Sequence, residues 1–165
     1  MKRLTIAALL SLAVATPTLA DGKVFVQLPD LSKYDDRAAE SFLESVVVAN
    51  VVSSNCPGYE ITDAEWSLLT DSADLLAYGQ LGLSTDDYDD YYYKPAFDLL
   101  DQPDTCAKRG PGVESVLEEL VFQGGSRDPL PDQEKAYEEW RVLMDEVRAK
   151  ADDAPSQPSG KTKTK

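Results

Sequence analysis

The chain has 165 residues, with 16 Lys and Arg against 30 Asp and Glu, a net charge of -14, no His and two Cys. Without histidine, no Ser-His-Asp or Cys-His catalytic centre can form and zinc sites lose their commonest nitrogen ligand, while the acidic balance excludes a nucleic-acid surface, which needs a basic face. One domain's length, with 42% hydrophobic and 28% charged residues, predicts a single globular unit.

At the start of the chain, Lys2 and Arg3 precede the apolar stretch Leu4 to Ala15, and Thr18-Leu19-Ala20 forms a small-x-small cleavage site. This pattern predicts a secretory signal over residues 1–20, cut after Ala20. The apolar stretch falls short of the roughly 20 residues that span a bilayer, so no transmembrane segment is expected once the signal is removed. No Cys follows the cut, which argues against a lipid anchor there. The expected location is the periplasm, an oxidising compartment where Cys56 and Cys106 read as one disulfide. Closing a loop of about 50 residues is worth roughly 4 kcal/mol by the chain-entropy argument. A redox or metal-binding thiol pair would call for C-x-x-C or histidine partners, and neither is present.

Residues 21–33 read as an extended lead-in, with alternation at Val24, Val26 and Leu28. Helical spacing begins at Tyr34: Tyr34, Ala38, Phe42 and Val46 form a stripe flanked by Ala39, Leu43 and Val47, and the helix ends near Asn55, before Cys56-Pro57-Gly58. Thr62 and Glu65 make a capping box for a second helix, whose apolar line is Trp66, Leu69, Ala73 and Leu76 and which Gly79 and Gly82 close. A third helix is predicted from Ser84 or Thr85 to Asp101, with Tyr88, Tyr92, Ala96 and Leu99 inward and a kink or break at Pro95. Cys106 falls on a short helix or turn that Gly110-Pro111-Gly112 ends, and Val113 to Phe122 reads as another helix. After a loop from Gly124 to Pro131, Asp132 to Ala151 is helical, with Ala136, Trp140, Leu143 and Val147 on one face and Tyr137 and Met144 beside it. Residues 152–165, rich in Pro, Ser and Lys, are expected to be disordered, and Lys161, Lys163 and Lys165 read as solubilising. The predicted fold is an all-α, irregular bundle of about five helices with one disulfide, its domain spanning 34–151 around a core at 34–122.

Several of these segments together resemble an uncharacterised family of small exported, two-cysteine helical proteins of Gram-negative bacteria. The likeness is carried by the run from Val48 to Pro57, by Leu81 to Ser84, and by the segment from Asp101 to Ala107 with its central Cys106. It spans about Tyr34 to Leu120, supports the fold and compartment, and transfers no catalytic residue. A looser architectural similarity links the chain to HdeA-like periplasmic acid-stress chaperones. That resemblance implies a second reading, in which acid neutralises the carboxylates and exposes apolar stripes.

From Glu60 to Asp104 there are twelve acids and one base, Lys94, a net of -11. Asp86, Asp87, Asp89 and Asp90 crowd one helix start, where the macrodipole favours negative charge. A calcium loop would need alternating acids, a Gly and a closing Glu, and that pattern is missing. Tyr88 and Tyr92 share a helical face whereas Tyr91 and Tyr93 point elsewhere, so at least one phenol is expected at the surface. Asp86, Asp87, Asp89, Asp90, Tyr88, Tyr91 and Tyr93 are therefore the candidate partner-binding residues, facing a basic periplasmic protein. No cofactor or metal is expected. No S-x-x-K, G-x-S-x-G or H-E-x-x-H element occurs, which points away from an enzyme; a cell-wall hydrolase built on a carboxylate pair is the remaining catalytic alternative.

Overall fold

A computed structural model describes residues 22–153; the expected signal segment 1–20 and the predicted tail beyond residue 153 lie outside them. The helices are α1 (Asp36–Asn55), α2 (Asp63–Asp74), α3 (Thr85–Tyr88), α4 (Lys94–Asp98), α5 (Thr105–Arg109), α6 (Pro111–Phe122) and α7 (Gln133–Asp153). A π-helical turn, Leu75–Gln80, prolongs α2; a second, Asp89–Tyr93, joins α3 to α4, and a 3-10 turn, Leu99–Asp101, follows. Joined end to end, these make five helical rods among the described residues, and the all-α bundle is the observed fold.

Side chains set the rod starts. The Asp35 carboxylate accepts the Ala38 N–H at 2.9 Å, and the Ser84 hydroxyl accepts the Asp87 N–H at 3.1 Å. Thr62 and Glu65 form the full capping box: Thr62 Oγ1 accepts the Glu65 N–H at 3.3 Å and Glu65 Oε2 accepts the Thr62 N–H at 2.8 Å.

The central rod is α1, which packs against α2, α4, α5, α6 and both π turns. Its second half is buried nearly all round, through Val46, Val47, Ala49, Asn50, Val51, Val52 and Ser53. The predicted stripe is rotated: Ala39 and Leu43 lie deepest, while Tyr34 and Phe42 are half-buried and stack with ring centres 5.0 Å apart. On α2, Leu68 and Leu69 are fully buried and Trp66 is exposed, contrary to the line drawn through Trp66. Cys56 and Cys106 are joined, with Cα atoms 5.4 Å apart, tying the end of α1 to α5.

The predicted stop at Gly110-Pro111-Gly112 does not occur. Gly110 keeps helical dihedrals between α5 and α6, because proline is suited to a helix's first turn and because Gly110 has no side chain to collide with the Tyr59 ring, against which it packs.

The lead-in runs beside the loop between α6 and α7. Val26 bridges Pro129, and backbone bonds run from Ser126 N–H to the Gln27 carbonyl and from Leu130 N–H to the Phe25 carbonyl, each 2.9 Å. Arg127 anchors this loop: its Nε donates to Glu65 Oε1 at 2.6 Å, and its two terminal nitrogens donate to Glu114 at 2.6 and 3.1 Å. The last rod reaches Asp153, two residues into the predicted tail. Its buried face is Ala136, Met144 and Val147; Leu143, expected inside, is exposed, and Met144 takes its place.

Candidate acidic and aromatic face

Pro95 shapes the third rod. Proline has no N–H to give its own fourth-preceding carbonyl and its ring crowds that turn. The helix widens just upstream, so that the Lys94 N–H reaches back five residues to the Asp89 carbonyl. The extra residue in this turn rotates everything after it relative to Tyr88.

That rotation decides where the tyrosines go. Tyr88 is 4% exposed, with its ring 5.1 Å from Tyr93, 5.6 Å from Tyr78 and 6.3 Å from Tyr92. Tyr93, expected to point away from Tyr88, instead joins it on the inner side, because a wide turn places residues five apart on one face. Burial raises the phenols of Tyr88, Tyr92 and Tyr93 above their ordinary value; around Tyr88 the Tyr93 phenol and the Asp74 carboxylate add to it. Tyr88 and Tyr93 therefore serve the interior, which corrects their assignment to a partner surface.

Tyr91, by contrast, is 37% exposed, and Phe97 on α4 is 51% exposed. Asp86, Asp89 and Asp90 are exposed on the same rod, and Asp87 is half-buried at the cap, accepting from the Ser84 hydroxyl at 2.9 Å. Lys94 pairs with Asp90 one turn away, and this contact holds its ammonium above the ordinary lysine value. Asp98 and Asp101 continue the outer side. The structure thus leaves Asp86, Asp89, Asp90 and Tyr91 exposed along one rod and adds Phe97, a ring that falls off the predicted apolar stripe.

Among the described residues, no group of three His, Cys, Asp or Glu is arranged to hold a metal ion, and no helix is long and apolar enough to cross a membrane. Two shallow cavities lie elsewhere. One of about 410 Å³ borders Asp35, Asp36 and Arg37, and one of about 220 Å³ is lined by Gly22, Lys23, Asp63, Trp66 and Ser67. Compared with protein-family models, with curated proteins and with solved structures, the chain matches none.

Proposed function

We propose that this is an exported, non-enzymatic interaction module of the periplasm, and that the outer side of its third rod docks onto a basic protein partner. The observation that supports this reading is the exposure of two rings, Tyr91 and Phe97, among Asp86, Asp89, Asp90, Asp98 and Asp101, with Lys94 as their near cation. Carboxylates steer a cationic partner and fix its orientation; rigid rings supply the apolar anchors on which binding energy concentrates.

The test is capture from periplasmic extract on the immobilised protein across a series of salt concentrations. A partner released by salt, and lost with the D86N/D89N/D90N variant, supports the reading. Capture that ignores both salt and these substitutions, or no capture at all, removes it.

A further inference from the structure

The contact between α7 and the rest of the fold differs in composition from the core. Lys23, in the lead-in, places its Nζ 2.6 Å from Asp71 Oδ1 on α2 and 3.8 Å from the centre of the Trp140 ring on α7. Asp71 is 1% exposed. One turn further along α2, Asp74 accepts from Arg148 of α7 at 3.3 Å, and the Arg148 guanidinium lies 5.8 Å from the Tyr78 ring. Phe25 completes the contact. Its ring lies 5.7 Å from Tyr137 and 5.6 Å from Trp140, and its backbone N–H and C=O are both bonded by the Gln133 side chain at 2.8 Å. Beneath these groups α7 packs on the Leu75–Gln80 turn.

Because these bonds cross from lead-in to α2 to α7, the lead-in and α7 hold each other in place. The seam is incompletely satisfied: Asp71 Oδ2 and the Trp140 indole N–H are both buried, near one another, without reaching hydrogen-bond geometry. A buried carboxylate short of partners is costly while charged.

We propose that the lead-in and α7 form a clasp over the Leu75–Gln80 turn that closes more firmly in mild acid and loosens toward neutral pH, with Asp71 and Asp74 as its sensing groups. The charged and titratable groups around them are Lys23 from the lead-in, Arg148 from α7, Tyr78 from the turn, and Tyr88 and Tyr93 from the third rod. Of the types present, only carboxyls titrate in the mildly acidic range. Burial raises both carboxyls above their ordinary value, outweighing Lys23 and Trp140 at Asp71 and Arg148 at Asp74, where the Asp71 charge adds to the rise. A group that binds its proton more tightly closed than open stabilises the closed form as pH falls through its raised pKa, and the gain levels off below the ordinary value near 4. Lys23, partly exposed and lying over the Trp140 ring, keeps contact with water when Asp71 is neutral.

The experiment is amide hydrogen exchange on the full chain at pH 7.5 and at pH 4, with rates corrected for the intrinsic pH dependence of exchange. Protection along α7 is expected to rise several-fold at pH 4, while α1 stays unchanged and the D71N/D74N variant loses the rise. Should that double variant fail to fold, D74N alone, whose carboxyl lies at the seam's edge, is expected to diminish the rise. Flat or falling α7 protection from pH 7.5 to 4, or a variant with the wild-type response, overturns the clasp.

Discussion

Both faces of the second rod are buried, and they are buried by different means. Leu68, Leu69, Ala73 and Leu76 enter a centre filled by Leu43, Leu117, Leu120 and the α1 valines, with a disulfide at one end. Ser67, Asp71, Asp74 and Tyr78 follow the same helical spacing on the other side, where the lead-in and α7 cover them with Lys23, Arg148 and the rings of Phe25 and Trp140. An apolar face gains stability from leaving water at every pH. A charged face gains only what pairing returns after desolvation, so its contribution depends on protonation and on each partner being present. A polar stripe at helical spacing is thus no proof of a solvated surface.

The largest expected effect belongs to the apolar side. Replacing both cysteines by alanine releases a loop of about 50 residues and is expected to cost about 4 kcal/mol in urea unfolding. A cost under half of that would mean the core holds itself without the crosslink. On the charged side, Lys23→Ala strands the Asp71 carboxylate and is expected to cost about 3 kcal/mol, with the loss of protection confined to α7 and the lead-in. The K23M/D71N pair, which removes both charges, should restore most of it; if it proves as damaging as the single change, packing rather than charge dominates the seam.

Arg127 sharpens the contrast, since it uses the same kind of ion pair with the opposite sign. Burial pushes Glu65 up, but the Thr62 N–H, the Arg127 guanidinium and the Thr62 hydroxyl together hold its carboxyl below the ordinary value. The stability it adds is therefore complete above its unfolded value of about 4.5 and is lost as pH falls through the lower folded one. Glu119, bonded by Gln123 and Tyr34, behaves alike. A melting profile should accordingly show α7 gaining as pH falls toward about 4 and the Arg127 loop weakening below about 4.5; a single monotonic fall reported from both regions would contradict the contrast. Arg127→Ala, at a bridge more than a third exposed on the arginine side, is expected to cost only about 1 kcal/mol at neutral pH. Smallest of all, Y91A/F97A should leave stability within about 0.5 kcal/mol while weakening capture of a partner, a difference that binding and melting measurements on one sample resolve.

Much of the fold was legible because its signals are local. The Thr62 and Glu65 box, the helix start at Ser84 or Thr85 and the disturbance near Pro95 each lie within a few residues of what they control. The disturbance was readable, its form was not: a widened turn and a break share the same proline, and only packing around Tyr88 selects the one that brings Tyr93 inward. Gly110-Pro111 read as a stop because glycine and proline usually punctuate helices, whereas here the proximity of Tyr59, some fifty residues earlier in the chain, requires a residue without a side chain. The seam was the least readable part, since Lys23 and Asp71 are 48 residues apart and each alone looks like an ordinary surface charge. At the candidate site the acids and Tyr91 were visible from composition, and Phe97 was not.

The lead-in gives the Gln133 contact a further meaning. Val24-Phe25-Val26-Gln27-Leu28 is uncharged, β-branched or aromatic at three of its five positions, and contains no Pro, which is the composition of segments that stack into intermolecular sheets. In the folded chain the Phe25 N–H and the Phe25 and Gln27 carbonyls are taken up by Gln133, Leu130 and Ser126, so the edge that these groups form is already occupied. Proteolysis that removed α7 would take away the Gln133 side chain and free the Phe25 N–H, opening part of that edge and giving a shortened chain a point of self-association.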